Sequence, residues 1–441
     1  MDATDAAVPS PPTSGPPWER MARGGGLLTG TGELTGTVFE EMSRLAARTG
    51  AINLGQGFPD VDGPREMLDA AAAALHGGGN QYSPVAGLPL LQEAVAAHQH
   101  RFYGIDLDPA SGVVVTVGAS EGLAASLLAF LRPGDEVVVF EPHYDLYGAV
   151  VEFAGARLVT VPLEPPHFSP DLDRLAAAFG PRTRMVILND PHNPTGTVFD
   201  DAVLARVAGL AAEHDCVVVT DEVYEHLRYA GGHRPLAALP GAFERTLTVS
   251  SVGKSFSVTG WRVGWVSGPA HLVGPVRATK AYLTHSAATP LQIGAATALG
   301  LPDGFYDRLT EDFRRRRDVL VRGLAAAGAE PFEPQGTFFV VADVRGLCER
   351  YGVEDAAHLA PVLAERAGVV GVPVPALASA EHRELYASWM RFSFGKRLDV
   401  LERAGRQLAG TAEVQGRFLS RNAKRNNCPD SQSISAPDFV V

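Results

Sequence analysis

Lysine is nearly absent from this chain. Of 38 Lys and Arg side chains in 441 residues, only four are lysine: Lys254, Lys280, Lys396 and Lys424. A guanidinium stays protonated and cannot form a Schiff base, whereas an amine can. A lysine kept in a loop rich in Gly and Ser, as Lys254 is, therefore stands out as a candidate for amine chemistry. Cysteine is equally scarce, and Cys216, Cys348 and Cys428 are too widely spaced for a disulfide framework or a metal knuckle. Positive charge in excess is missing too. A formal net charge of -12 argues against the clustered cations that a nucleic-acid backbone requires. The short runs Arg314 to Arg317 and Arg421 to Arg425 read as a solvated helix face and a tail. No apolar run approaches the length of a membrane span, and the opening residues lack the apolar middle of a secretory signal. These absences predict a cytoplasmic protein that engages neither nucleic acid nor membrane.

What is present is a globular composition, 46% hydrophobic and 20% charged. Short β-branched runs, Val113–Val117, Glu136–Phe140, Arg157–Val161, Arg184–Leu188, Cys216–Thr220 and Thr246–Ser250, alternate with helical patterns such as Gly122–Leu131 and Ala202–His214. Apolar runs separated by helices predict an α/β fold with a mostly parallel central sheet covered by helices. A smaller α+β unit is expected later, with helices at Phe305–Ala327 and Ala357–Ala367 and strands at Thr337–Ala342 and Met390–Phe394. The boundaries expected are a disordered arm over 1–26, a segment over 27–64 that packs with the small unit, a large domain over 65–300, the small domain over 301–410, and a mostly disordered tail over 411–441.

Polar signatures follow five of the predicted strands. They are Gly118-Ala-Ser-Glu-Gly122, Glu141-Pro-His-Tyr144, Asn189-Asp-Pro-His-Asn193-Pro-Thr-Gly196, Asp221-Glu-Val-Tyr224 and Ser250-Ser-Val-Gly-Lys254. Open parallel sheets bind ligands beyond the carboxyl ends of their strands, so the five are expected to form one composite site. Together they suit a phosphorylated pyridine aldehyde. Its phosphate wants helix-start amides, hydroxyls and a guanidinium, available at Ala119, Ser120, Ser251 and Arg262. Its ring nitrogen wants a carboxylate, Asp221. Its ring oxygen wants neutral donors, Asn193 and Tyr224, and its face an aromatic, Tyr144. A substrate carboxylate wants a forked cation, and Arg391 is available in the second unit.

Ser251-Val-Gly-Lys254-Ser-Phe-Ser-Val-Thr-Gly-Trp-Arg262-Val-Gly-Trp resembles the lysine signature of class I/II aminotransferases of fold type I, and the Asn193 and Asp221 motifs match that family's other two signatures. The opening Asn53-Leu-Gly-Gln-Gly57-Phe-Pro-Asp is similar to the subgroup of kynurenine, glutamine-phenylpyruvate, methionine and N-succinyl-diaminopimelate aminotransferases. The resemblance spans about residues 35 to 410. It implies pyridoxal 5'-phosphate as cofactor, bound covalently by Lys254, and ping-pong transfer of an amino group from an L-amino acid to a 2-oxo acid. It implies catalytic roles for Lys254, Asp221 and Tyr224, and cofactor contacts from Ala119, Ser120, Tyr144, Asn193, Ser251 and Arg262. It further implies that Tyr82 reaches the neighbouring subunit's phosphate in a homodimer, that Arg391 and Asn193 bind substrate, and that Gly57 and Phe39 line the pocket.

Other readings remain open at this stage. A β-lyase acting on cysteine conjugates would share the cofactor and most of the site. Gly118-Ala-Ser120-Glu-Gly122 also fits the nucleophile elbow of a serine hydrolase, with His76-Gly-Gly-Gly79 as a mimic of its oxyanion motif; those glycines, however, follow an Ala-rich helical run and read as a helix stop. Asp221 could cap a helix, and Tyr144, Phe39 and Arg391 could be core or surface residues. His143 and His192 lack metal-ligand spacing and read as lining, so no metal is expected. Around Ser286-Ala287-Ala288-Thr289-Pro290 the chain has alanines where kynurenine-type relatives carry an aromatic pair, which predicts a roomier, less aromatic pocket.

Overall fold

The computed structural model describes residues 15–410. Eight strands form the central sheet in the order Val113–Thr116, Gly264–Ser267, Thr246–Ser251, Val217–Asp221, Thr183–Asn189, Glu136–Glu141, Arg157–Glu164, Ser169–Pro170. The five from Thr246–Ser251 to Arg157–Glu164 are parallel to one another. Gly264–Ser267 runs antiparallel to both of its neighbours. Side chains on these strands are buried on both faces, which explains their unbroken runs of Val, Ile and Leu. The fold is α/β with a mostly parallel sheet, as the alternation of runs predicts.

The six expected strands lie within a residue or so of their predicted ends, except that Arg157–Glu164 runs three residues further. Gly264–Ser267 went unrecognised because it is only four residues long and its first two close the lysine signature. The helix expected from Gly122 begins at Gly118. Gly118 turns the chain at φ +70°, and the Glu121 carboxylate accepts from the Val117 amide at 2.5 Å, tying the turn to the helix start.

The second unit carries a four-stranded antiparallel sheet, Glu330–Pro331, Phe339–Asp343, Trp389–Ser393 and Val372–Pro373 in that order. The short strand Ile52–Asn53 pairs in parallel with Val369–Val370, and the Ser393 amide donates to the Leu54 carbonyl at 2.6 Å. The loop after Asn53 is thereby anchored to this unit.

The expectation of a disordered arm over 1–26 is corrected in part. Pro17–Gly24 is a helix laid against Asp145–Phe153. Its Arg20 guanidinium donates to the carbonyls of Glu152 and Phe153, at 3.3 and 3.2 Å, in the last turn of that helix. Proline at the first helical turn and glycine at the crossing make this possible. A Cβ at Gly148 would lie 2.3 Å from the Gly24 carbonyl oxygen. Residues 1–14 of the expected arm, and the tail 411–441 with Cys428, lie outside the described residues. We predict that Gly148→Ala destabilises the protein by about 1–3 kcal/mol by overpacking, against a helix-propensity gain of about 1 kcal/mol. Denaturant unfolding measures this, and a more stable variant would contradict the close crossing.

Candidate active site

The carboxyl ends of the parallel strands bring the five signatures to one edge. Asn189 pairs with Asp221, and Asp221 with Val249, across adjacent strands. The next strand ends at Ser251, three residues before Lys254. Asp221 is almost fully buried. One carboxylate oxygen, Oδ2, accepts from the Tyr147 hydroxyl at 2.6 Å, while Oδ1 is buried with no partner among the described residues. Burial pushes its carboxyl up to about 6, opposed mainly by the Tyr147 hydrogen bond. A buried carboxylate oxygen left bare is costly, and a protonated ring nitrogen is a partner of the right charge.

Lys254 donates to the Gly57 carbonyl at 2.9 Å. Its ammonium lies 5.7 Å from the Tyr224 ring and 5.5 Å from that of Phe338. Burial lowers its pKa to about 8, with Asp221 opposing the shift. The amine is thus partly neutral near neutral pH, the form in which it attacks a carbonyl. Tyr224 is buried, and burial raises its phenol so that it remains a neutral donor.

The anion cradle lies beside this amine. The Arg262 guanidinium donates to Ser120 Oγ at 3.2 Å and to the Thr259 carbonyl at 3.2 Å. Arg262 itself has a left-handed backbone, φ 51°. Two glycines permit the approach. A Cβ at Gly118 would stand 2.5 Å from Arg262 Nη2, and one at Gly264 would stand 2.7 Å from the Ala119 amide nitrogen. The helix Gly118–Phe130 starts there, and its free amides favour an anion. Ser251 is at the cradle's wall, at the end of its strand. Tyr144 is half-buried, bonds to Ser120, and meets Tyr147 edge-on at 5.8 Å. Phosphate donors, a bare carboxylate oxygen and a buried amine together fit pyridoxal phosphate.

Arg391 comes from the other unit, on Trp389–Ser393, and is buried. It donates to Asn193 Oδ1 at 3.0 Å and to the Gly55 carbonyl at 2.7 Å, and its Nε has no partner. Its guanidinium sits 5.0 Å from the Phe39 ring and 4.1 Å from that of Phe339. Burial lowers its pKa to about 10. No carboxylate is within ion-pair distance of it among the described residues, a vacancy of charge that suits a substrate carboxylate. A cavity of about 820 Å³ opens alongside, lined among others by Phe39, Ser43, Arg44, Gln56, Gly57 and Thr259.

Tyr82 and Ser120 bear on two further readings of the sequence. Tyr82 is 86% exposed, meeting only the His285 ring edge-on at 5.3 Å, and is not joined to this chain's own cluster. Ser120 is bonded to Arg262 rather than to a histidine, and Arg65–His76 is a helix ending at Gly77, so the serine-hydrolase reading has no geometry behind it. His192 is buried and bonded to Thr195, its pKa lowered by burial to about 3, and His143 bonds to the Tyr144 carbonyl. Tyr147 was missed by the sequence reading. The signal for it was its spacing three residues after Tyr144, one turn along the same helix face.

Comparison with known proteins agrees with this geometry. Residues 49–408 match the model of the family "Aminotransferase class I and II". The chain is 45% identical over 386 residues to a probable N-succinyldiaminopimelate aminotransferase of Mycobacterium tuberculosis, covering 86% of this chain and 96% of the relative. It is 39% identical over 343 residues to a methionine aminotransferase of Escherichia coli, covering 78% and 88%. The solved N-succinyldiaminopimelate aminotransferase of M. tuberculosis superposes with a TM-score of 0.81 at 46% identity, covering 85% of this chain and 97% of that one.

The Asp221 environment makes a pH prediction. Its carboxyl ionises near 3.8 when unfolded and near 6 when folded, so the folded form binds the extra proton between those values. The resulting loss of stability is absent below about pH 4 and complete above about pH 6. Cofactor-free Asp221→Asn is therefore expected to exceed cofactor-free wild type by about 1–3 kcal/mol at pH 8, the margin closing towards pH 4. Denaturant unfolding across that range checks it; a margin that widens on acidification would overturn the assignment.

Proposed function

The chain belongs to aminotransferase class I and II, pyridoxal-phosphate-dependent enzymes of fold type I that move amino groups between amino acids and 2-oxo acids, and on that premise we propose what each site residue does and which donor it serves. One observation carries the assignment: a buried amine, Lys254, close enough to feel the charge of a buried carboxylate, Asp221, with one oxygen unpartnered.

When bound, pyridoxal phosphate supplies an electrophilic aldehyde and a ring that accepts negative charge developing at the substrate α-carbon. Lys254 would hold it through its amine and, once that amine is free, would carry the proton of the substrate α-carbon, a task suited to an amine whose pKa is near 8. Asp221 would keep the ring nitrogen protonated, and Tyr147 fixes the orientation of that carboxylate. Asn193 and Tyr224 would meet the ring oxygen, and Tyr144 would cover the ring. Ser120, Ser251, Arg262 and the Ala119 amide would hold the phosphate. Arg391, steadied by Asn193 and covered by Phe39, grips the α-carboxylate. Gly57 forms the pocket wall nearest Lys254, where a Cβ would stand 3.1 Å from the Phe339 ring.

The exposure of Tyr82, together with that of Tyr282, 94% exposed and three residues before the His285 ring that Tyr82 meets, supports a homodimer in which Tyr82 completes the partner's phosphate site. No helix among the described residues is long and apolar enough to cross a membrane, and a cytoplasmic location fits the free, buried Cys216 and Cys348. The name of the M. tuberculosis relative, together with the cavity beside Arg391, favours an acylated diamino diacid as donor over a compact amino acid.

Lys254→Ala should lose the borohydride-trapped cofactor adduct by mass spectrometry, and turnover should fall at least about 10³-fold. An adduct retained at full occupancy would end the assignment. Arg391→Ala should lower kcat/KM for amino acids about 10²-fold or more, chiefly through KM; unchanged saturation would remove it from the carboxylate site. A donor panel of N-succinyl-diaminopimelate, methionine, glutamine and aromatic amino acids, with ammonia and pyruvate release scored separately, tests substrate and excludes or reveals lyase activity. A preference for methionine over the acylated diacid would overturn the proposed donor.

A further inference from the structure

Outside the catalytic cluster lies a second group of ligating side chains. His98, on the helix Pro89–Tyr103, points its Nε2 at the Nε2 of His226, 2.7 Å away, with the rings nearly perpendicular. The Glu225 carboxylate completes the group, and one ligand atom from each of the three residues lies within 4.8 Å of the others. His98 and Glu225 are buried, and His226 is half-buried.

The charge balance here is unusual. Glu225 is 5% exposed, yet among the described residues it has no cation within ion-pair distance. Its oxygens accept only from two hydroxyls, Tyr103 at 2.6 Å and Ser250 at 2.6 Å. The neighbouring buried carboxylate, Glu222, has His233 at 2.9 Å. Buried charges are ordinarily paired or bound to a metal, and the Glu225 carboxylate lies beside two imidazoles, with one ligand atom of each residue inside the same 4.8 Å. The facing nitrogens cannot both be bare without repulsion, so something positive must lie between them: a proton, or a metal ion.

We propose that His98, His226 and Glu225 bind one divalent transition-metal ion of the zinc class, with solvent entering beside His226 as the remaining ligand. Two imidazole nitrogens and one carboxylate oxygen are a zinc-type donor set. Ligand bonds of about 2.0–2.2 Å require the two nitrogens to part slightly and the carboxylate to close in, changes within reach of side-chain rotation. Tyr103 and Ser250 are the outer partners that orient the carboxylate. The ion would bind the helix Pro89–Tyr103 to the segment two residues beyond Tyr224, and so brace the active-site loop from behind. It would take no part in the chemistry at Lys254.

The test uses the holoenzyme, dialysed against a chelator and titrated with Zn²⁺ by calorimetry and by metal analysis after desalting. One equivalent per chain is expected, with a rise in Tm. His98→Gln and Glu225→Gln, each checked for fold by circular dichroism and for cofactor content, should each weaken Zn²⁺ binding at least 10-fold. Absence of saturable one-to-one uptake by wild type would show that only a shared proton joins the imidazoles and would overturn the proposal. Undiminished uptake by both variants would place the ion on surface histidines and overturn it equally. None of these readouts depends on which amino acid the enzyme uses.

Discussion

A carboxylate and an amine, both withdrawn from water at one edge of a parallel sheet, set the terms for the rest of the molecule. Ionised groups in such a place are stable only when something of opposite charge or complementary hydrogen bonding meets them. Asp221 receives one hydroxyl, from Tyr147, and keeps one oxygen bare. Lys254 receives one carbonyl, from Gly57. The protein therefore carries part of the cost of ionising these groups in advance, and a bound cofactor relieves it. The same burial lowers the amine's pKa and raises the carboxyl's, giving each a proton affinity suited to exchange near neutral pH.

The loop Leu54–Phe58 serves both halves of the site. Its carbonyls accept from Lys254 at Gly57, from Arg391 at Gly55 and from Lys396 at Phe58. Three cations from different elements thus converge on one turn, which is itself fixed to the smaller unit through the pairing of Ile52–Asn53 with Val369–Val370. Carbonyl dipoles satisfy the cations without neutralising them, so Arg391 keeps its charge. A carboxylate at the same place would have paired with Arg391 and closed the site.

Glycine makes the cradle possible in a second way. Gly118 and Gly264 let a guanidinium and the first amides of a helix stand where any side chain would collide. The anion cradle is thus shaped by absent atoms as much as by donors. Behind it, Glu225 links Ser250, next to the cradle, to Tyr103 and towards the imidazole pair, so a polar network runs from the cofactor wall into the helical layer.

Much of this was legible in the amino-acid sequence. Unbroken Val and Leu runs between helical patterns specified a parallel, doubly covered sheet, because each run had to bury both faces. Motifs placed directly after strands specified a shared edge, and local chemistry singled out Lys254, Asp221, Asn193, Tyr224 and Arg262. Contacts across long sequence separations were not legible. The bond from Tyr147 to Asp221, the meeting of His98 with His226, and the burial of Arg391 under Phe39 join residues 74, 128 and 352 positions apart; no local pattern encodes them. The helix Pro17–Gly24 was hidden for the same reason: its composition is that of a loose arm, and only a groove beside Gly148, formed elsewhere in the chain, gives it something to pack against. Periodicity and turn chemistry act between neighbours, so they decide elements and their order; charge balance in a buried site depends on what the folded chain brings alongside.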